Sequence, residues 1–266
     1  MPFARRGDSN LYFEVLGDGP ALVLSHGVGG NHASWFPQIA ALSARYRLVT
    51  WDHRGFGLST DAEGIGRAGF VDDLEAVMDA VGVRRGVLVG QSMGGGTSLA
   101  FTCAHPDRVA GLVMADSLAQ AELPTTLAAR LAANAAKTAE LSQVERVLGS
   151  TFQREHPAGT ILYGQIASFN ATNLRTLRGQ MPSFSAGALE ATKVSTLFVV
   201  GDEDVLFPPW AVRGYQNLVE GSRYVELART GHSAFFERPD AFNAALEAWL
   251  EDIDYAPLKH DEVGAT

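Results

Sequence analysis

The stretch Val87-Leu88-Val89-Gly90-Gln91-Ser92-Met93-Gly94-Gly95-Gly96 constrains this chain more than any other. Its three adjacent branched apolar residues suit a short strand buried on both faces. Gly90 and Gly94 lie two residues either side of Ser92, where side chains would collide across a tight turn. This G-x-S-x-G spacing predicts a strained strand-to-helix turn that lifts the serine hydroxyl clear of a sheet and sets it at a helix N-terminus.

The rest of the chain reads as the sheet such a turn requires. Leu11 to Leu16 alternates loosely and stops at the turn Gly17-Asp18-Gly19-Pro20; Ala21 to Ser25 follows as a second strand, and the two predict an antiparallel edge hairpin. A helix is expected around Trp35 to Ser43 and a strand over Arg47 to Trp51. Phe70, Leu74, Val77, Met78 and Val81 share one helical face, the pattern of a helix packed on a sheet. After the Ser92 turn a helix runs toward Cys103 and stops before Pro106, and Val109 to Ala115 forms another strand. Strand and helix thus alternate, which calls for a parallel sheet with right-handed crossovers.

From Leu118 to Lys193 no good strand is found. Glu122 to Leu148 is rich in alanine and leucine, and shorter helical pieces are expected around Ile161 and Leu174. Strand signals resume at Thr196 to Val200 and Arg223 to Leu227, with helices near Trp210 to Val219 and over Pro239 to Glu251. The fold class is therefore α/β, a mostly parallel sheet flanked by helices. Residues 1–117 and 194–255 form the core, 118–193 a helical cap or lid, and 256–266 a polar tail expected to be mobile.

The chain has 266 residues, enough for one large α/β domain, and a formal net charge of -9, which argues against nucleic-acid or anionic-membrane partners. A single cysteine, Cys103, excludes an intrachain disulfide and reads as a small buried hydrophobe. Met1 to Asn10 carries two arginines with no apolar run behind them, so no secretory leader is expected, and no window is long and apolar enough for a membrane span. A cytoplasmic location is the expectation. No motif speaks to oligomeric state.

A serine hydroxyl is a weak nucleophile at neutral pH and needs a base. His232, in Thr230-Gly231-His232-Ser233, lies on a loop after a core strand, where a parallel sheet keeps its reactive groups. An acid that orients this base belongs on an earlier loop; Asp202, Glu203 and Asp204 follow one strand and Asp116 follows another, and spacing does not choose among them. Two nucleotide readings fail. Gly27-Val28-Gly29-Gly30-Asn31-His32 has His32 at the third glycine position of a dinucleotide fingerprint, and Gly96 stands where a phosphate-binding loop needs lysine. No H-E-x-x-H or Cys/His cluster is present, so neither cofactor nor metal is expected.

The chain resembles the α/β-hydrolases, in particular the lidded branch that includes enol-lactonases, carboxylesterases and haloperoxidase-like enzymes. The resemblance spans about Leu11 to Glu251. It rests on His26-Gly27, Asp52-His53-Arg54-Gly55-Phe56-Gly57-Leu58-Ser59, the Ser92 motif, His105-Pro106-Asp107-Arg108-Val109, Gly201 with Asp204, and Gly231-His232. It implies Ser92 as nucleophile, Asp204 as acid and His232 as base, with the backbone amides of Val28 and Met93 as oxyanion hole. His26 would be structural, and Asp52, Arg54 and Ser59 would pin their loop. Trp35, Phe36, Trp210, Phe152, Tyr163, Phe169 and Phe184 are candidates for an apolar pocket.

The implied activity is hydrolysis of a small, apolar carboxylic ester or lactone through an acyl-enzyme, rising with pH roughly around 6 to 7 as His232 loses its proton. Perhydrolysis is a side activity open to such an acyl-enzyme. Hydrolases of C–C bonds in ring-fission products look similar. They usually carry Asn before the serine and an aromatic residue after the histidine, where this chain has Gln91 and Ser233. A ligand receptor on the same scaffold is a third reading.

Overall fold

The computed structural model describes residues 2–255, so the expected tail at 256–266 lies outside the described residues. Eight strands form one sheet: β1 (Phe3–Arg6), β2 (Ser9–Leu16), β3 (Ala21–Ser25), β4 (Arg47–Trp51), β5 (Gly86–Gln91), β6 (Val109–Ala115), β7 (Thr196–Gly201) and β8 (Arg223–Leu227). Their spatial order is β1-β2-β4-β3-β5-β6-β7-β8. β2 is antiparallel to both β1 and β4, and every later neighbour pair is parallel.

The expected hairpin of β2 with β3 does not form. β4 lies between them, and β2 instead folds back on β1 through Gly7-Asp8. A parallel crossover from β3 returns its chain beside β3, so the strand after the turn, not the turn itself, decides the pairing.

Central strands are buried on both faces, and their side chains split with period two. Val23, Leu88, Leu112, Met114, Phe198 and Val200 join one core, while Leu22, Leu24, Val87, Val89, Val113, Leu197 and Val199 join the other. On the first face lie α2 (Phe70–Ala80), α3 (Met93–Ala104) and later α9 (Pro209–Gln216). The second face is covered by α1 (Phe36–Leu42), α10 (Ala234–Glu237) and α11 (Pro239–Asp252).

Between β6 and β7 the chain forms α4 (Thr125–Lys137), α5 (Gln143–Val147), α6 (Ser150–Glu155), α7 (Pro157–Ser168) and α8 (Ala186–Ala191). The long helix expected over Glu122 to Leu148 is split. Ser142 starts α5 by capping the amide of Glu145, whose side chain caps Ser142 in return. Around Leu174 the chain makes a turn, not a helix. No helix among the described residues is long and apolar enough to cross a membrane.

The loop after β4 is held by buried polar groups. Asp52 accepts the amides of His32 at 2.6 Å and Leu58 at 2.8 Å, and Ser59 Oγ donates to the Asp52 carbonyl at 2.7 Å. Arg54, 1% exposed, grips Asp73 of α2 with two bonds of 2.6 and 2.5 Å and also reaches Asp61 and Glu63. Burial raises the Asp73 carboxyl above its usual range even though Arg54 opposes the shift. Removing the guanidinium leaves that buried carboxyl with only the longer 3.7 Å contact to the half-buried Arg6, so Arg54→Ala is expected to destabilise the fold by about 3 kcal/mol, read from the urea midpoint.

Candidate active site

The chain turns sharply at Ser92, with φ 50° and ψ −115°, a left-handed conformation that a serine rarely adopts. The glycines allow it. A Cβ at Gly94 would strike the carbonyls of Ser25 and His26, and one at Gly90 would strike the carbonyl of Gly94. Backbone bonds hold the turn: Ser92 N–H donates to the Ala115 carbonyl at 3.0 Å, and Ser117 Oγ donates to the Ser92 carbonyl at 2.6 Å.

Met93 opens α3, and Val28 lies in the loop after β3, the strand beside β5. Their side chains pack with Phe56, Phe70, Leu177 and Met181. Among the described residues neither amide has an acceptor. Unpaired N–H groups at a helix start and a glycine-rich loop carry partial positive charge. His26 ties its own loop to the one after β4: Nδ1 bonds the Gly27 carbonyl at 2.8 Å and Nε2 accepts the His53 amide at 3.0 Å.

His232 follows β8 and Asp204 follows β7, both buried to 3% exposure. His232 Nδ1 lies 2.9 Å from Asp204 Oδ2, while Asp204 Oδ1 accepts the amides of Leu206 at 2.7 Å and Phe207 at 3.0 Å. The other three carboxylates are engaged elsewhere. Asp202 accepts the Thr230 amide, Glu203 bonds Thr151 and Ser150, and Asp116 accepts the amides of Gly201 and Ala234, both at 2.9 Å. Burial and the charge of Asp204 push the Asp116 carboxyl well above its usual range.

Burial pulls the His232 pKa down, but the charges of Asp204, Asp116 and Glu237 outweigh it, and the net shift is upward from 6.5. Gln91 Nε2 donates to the His232 carbonyl at 2.7 Å, tying the Ser92 turn to the histidine loop. No hydrogen bond joins the Ser92 hydroxyl to the His232 ring among the described residues; such contacts are often loose without substrate.

Val28, Gln91, Ser92, Tyr163, Leu206 and His232 face one cavity of about 740 Å³. Residues of 118–193 close its far side, among them Glu140, Gln143, Arg146, Asn173 and Arg175. A helix and a turn from separate stretches bring Arg146 and Arg175 to the same space. Of the seven aromatic residues named as pocket candidates, only Tyr163 lines this cavity. Its buried phenol is pushed up to about 12 and so stays a neutral donor.

The other six do not line it. Trp35 is fully buried against Phe235, ring centres 4.1 Å apart. Phe152 packs on His156 and Phe236. Phe169 points outward, 74% exposed, and Trp210 lies under the Arg130 guanidinium at 3.8 Å. Phe36 is 47% exposed as well. An aromatic residue in sequence does not say which side of its helix meets a cavity. Among the described residues no group of three His, Cys, Asp or Glu side chains is placed to hold a metal ion.

Comparison with known proteins agrees with this architecture. The chain is 28% identical to a candidate carbamate hydrolase, RutD, of Azorhizobium caulinodans, over 96% of this chain and 100% of that protein. It is 27% identical to a candidate non-heme bromoperoxidase, BpoC, of Mycobacterium tuberculosis, over 92% of this chain and 98% of the other. A thermophilic esterase from Thermogutta terrifontis superposes with a TM-score of 0.77 at 26% identity, covering 92% of this chain and 94% of that one. A sequence model of the alpha/beta hydrolase fold matches residues 20–239, and on that match the chain belongs to the α/β-hydrolase family.

Proposed function

We propose that this protein is a serine hydrolase that cleaves a carboxylic ester or lactone through an acyl-enzyme. One observation carries the reading: a strained serine and a carboxylate-held histidine line a single cavity with Val28, and the Met93 amide, also without an acceptor, follows the serine at the helix start. Ser92 Oγ attacks the carbonyl carbon while its proton passes to His232 Nε2. Asp204 keeps the proton on Nδ1 and offsets the charge of the imidazolium. The amides of Val28 and Met93 hold the tetrahedral oxyanion, each worth on the order of 3 kcal/mol. Collapse expels the alkoxide, which takes the proton from His232; in a lactone it stays tethered. Water, deprotonated by His232, then attacks the acyl-enzyme, and the acid leaves as Ser92 regains its proton.

Residues 118–193 act as the lid in this reading and set substrate choice. Tyr163 offers a neutral hydrogen-bond donor at the cavity wall, and Arg146 and Arg175 add positive charge. The names of the relatives extend the substrate range to be tried, since a carbamate presents the same carbonyl to Ser92 with a nitrogen beside it.

The test is turnover of a panel of esters, lactones and carbamates, starting from 4-nitrophenyl butyrate, by wild type and Ser92→Ala. Wild-type turnover lost in the variant supports the reading. If neither exceeds buffer while an apolar ligand still binds, the receptor reading replaces it. The base must be neutral to act, and His232 is shifted upward, so kcat/KM should rise with pH through a midpoint above 6.5. A profile flat between about pH 5 and 9 would remove His232 from its role.

A further inference from the structure

Glu237 ends α10 and is buried to 3% exposure. Its carboxylate accepts three backbone amides. Oε2 receives Gly231 at 2.8 Å and Gly149 at 3.0 Å, and Oε1 receives Ser233 at 3.2 Å. Gly231 and Ser233 flank His232, so the carboxylate grips the chain on both sides of that residue. Gly149 belongs to the turn between α5 and α6, inside the helical insertion.

Further bonds join the insertion to these loops. Ser233 Oγ donates to the Val147 carbonyl at 2.8 Å, and Glu203, next to Asp204, accepts the Thr151 amide at 2.9 Å. The approach leaves no slack: a Cβ on Gly149 would lie 2.7 Å from the Gly231 nitrogen and about as close to the carboxylates of Glu203 and Glu237. Glu237 has no cation within ion-pair distance among the described residues. A buried carboxylate held only by amides is an expensive choice if packing were its sole purpose.

We infer that Glu237 is a positioning residue, seating the turn at 147–151 and orienting the His232 loop with one carboxylate, so that lid closure and base orientation are coupled. The catalytic half of this inference rests on the ester-hydrolase reading; the mechanical half does not. The titratable groups around Glu237 and the His232 it flanks are Asp204, Asp116, Glu203 and the Tyr163 phenol. Burial pushes the Glu237 carboxyl up to about 7 against its three amides, so its charge changes near neutral pH. That charge also helps to hold the His232 pKa up.

The test compares wild type, Glu237→Gln, Glu237→Asp and Ser92→Ala by hydrogen exchange over 147–151 and 230–237, and by kcat and KM for 4-nitrophenyl butyrate between about pH 5 and 9. Gln has a single acceptor oxygen, so it cannot serve Ser233 together with the Gly149–Gly231 pair. In Glu237→Gln both segments should lose protection together. Its kcat should fall by about 10–100-fold with KM little changed, and the acid limb should move to lower pH because His232 loses a neighbouring negative charge. Glu237→Asp keeps the charge but is one methylene short; it should restore the acid limb without restoring protection at 147–151. The inference is overturned if 147–151 stays protected in both variants, or if protection is lost while kcat and the pH profile remain those of the wild type. If wild type turns over the ester no faster than Ser92→Ala, the ester reading falls, and joint loss or retention of protection decides the mechanical coupling by itself.

Discussion

Ser92→Ala is expected to lower kcat for 4-nitrophenyl butyrate by about 10⁴–10⁶-fold while leaving the fold intact. In the proposed mechanism the loss is large because Ser92 supplies the attacking hydroxyl and the proton that His232 takes. The fold should survive because the turn is held by the Ser92 backbone, through its amide to Ala115 and its carbonyl from Ser117. Alanine keeps both bonds and the same φ. The residual rate should come from the Val28 and Met93 amides acting on water-mediated cleavage. His232→Ala, and the double variant with Ser92→Ala, should fall to about the same level, since the two side chains act as a unit. Steady-state kinetics with thermal unfolding as control decide the matter. Retention of more than a few per cent of wild-type kcat would exclude Ser92 as nucleophile.

Asp204→Asn is expected to reduce kcat by about 10⁴-fold with almost no change in shape. Oδ1 of Asp204 is committed to the amides of Leu206 and Phe207, so the asparagine oxygen must take that position. Its NH₂ then faces His232 Nδ1, where Oδ2 lies at 2.9 Å in the native protein. An N–H donor there forces Nδ1 to become the acceptor and puts the imidazole proton on Nε2, the atom that receives the serine proton in the proposed mechanism. The base is present but in the wrong tautomer. Two observations check this: a kcat loss without loss of folding stability, and a shift of the His232 ring nitrogens by NMR. An Asp116→Asn variant is the contrast, since both Asp116 oxygens are turned to backbone amides rather than to the ring.

Much of the fold was legible because it rests on local rules. The Val87–Val89 run predicts a strand buried on both faces, and its side chains divide between the two cores. The glycine spacing around Ser92 predicts a steric demand that the carbonyls of Ser25, His26 and Gly94 make real. Misplaced features depend on partners distant in sequence. β2 looked like the mate of β3 because a strong turn joins them, yet β4 pairs better with both. The aromatic residues Trp35, Phe152, Phe169 and Trp210 looked suited to a pocket by type, and their helices turned them into the core or toward the surface. Glu237 carried no motif at all, since its meaning lies in meeting Gly149 across a gap of nearly ninety positions.

The sequence by itself determined the parallel sheet and the strained serine turn at its centre. Both follow from side-chain periodicity and from contacts between residues only a few positions apart. Four carboxylates at strand ends were left equivalent by spacing; the family resemblance singled out Asp204, and the tertiary structure gives the physical reason. Glu203 and Asp116 are taken up by amides and hydroxyls, Asp202 is exposed and bonds the Thr230 amide, and Asp204 alone of the four turns an oxygen to His232. Hydrogen-bond capacity is used up by neighbours in space, and those neighbours exist only once the chain has folded.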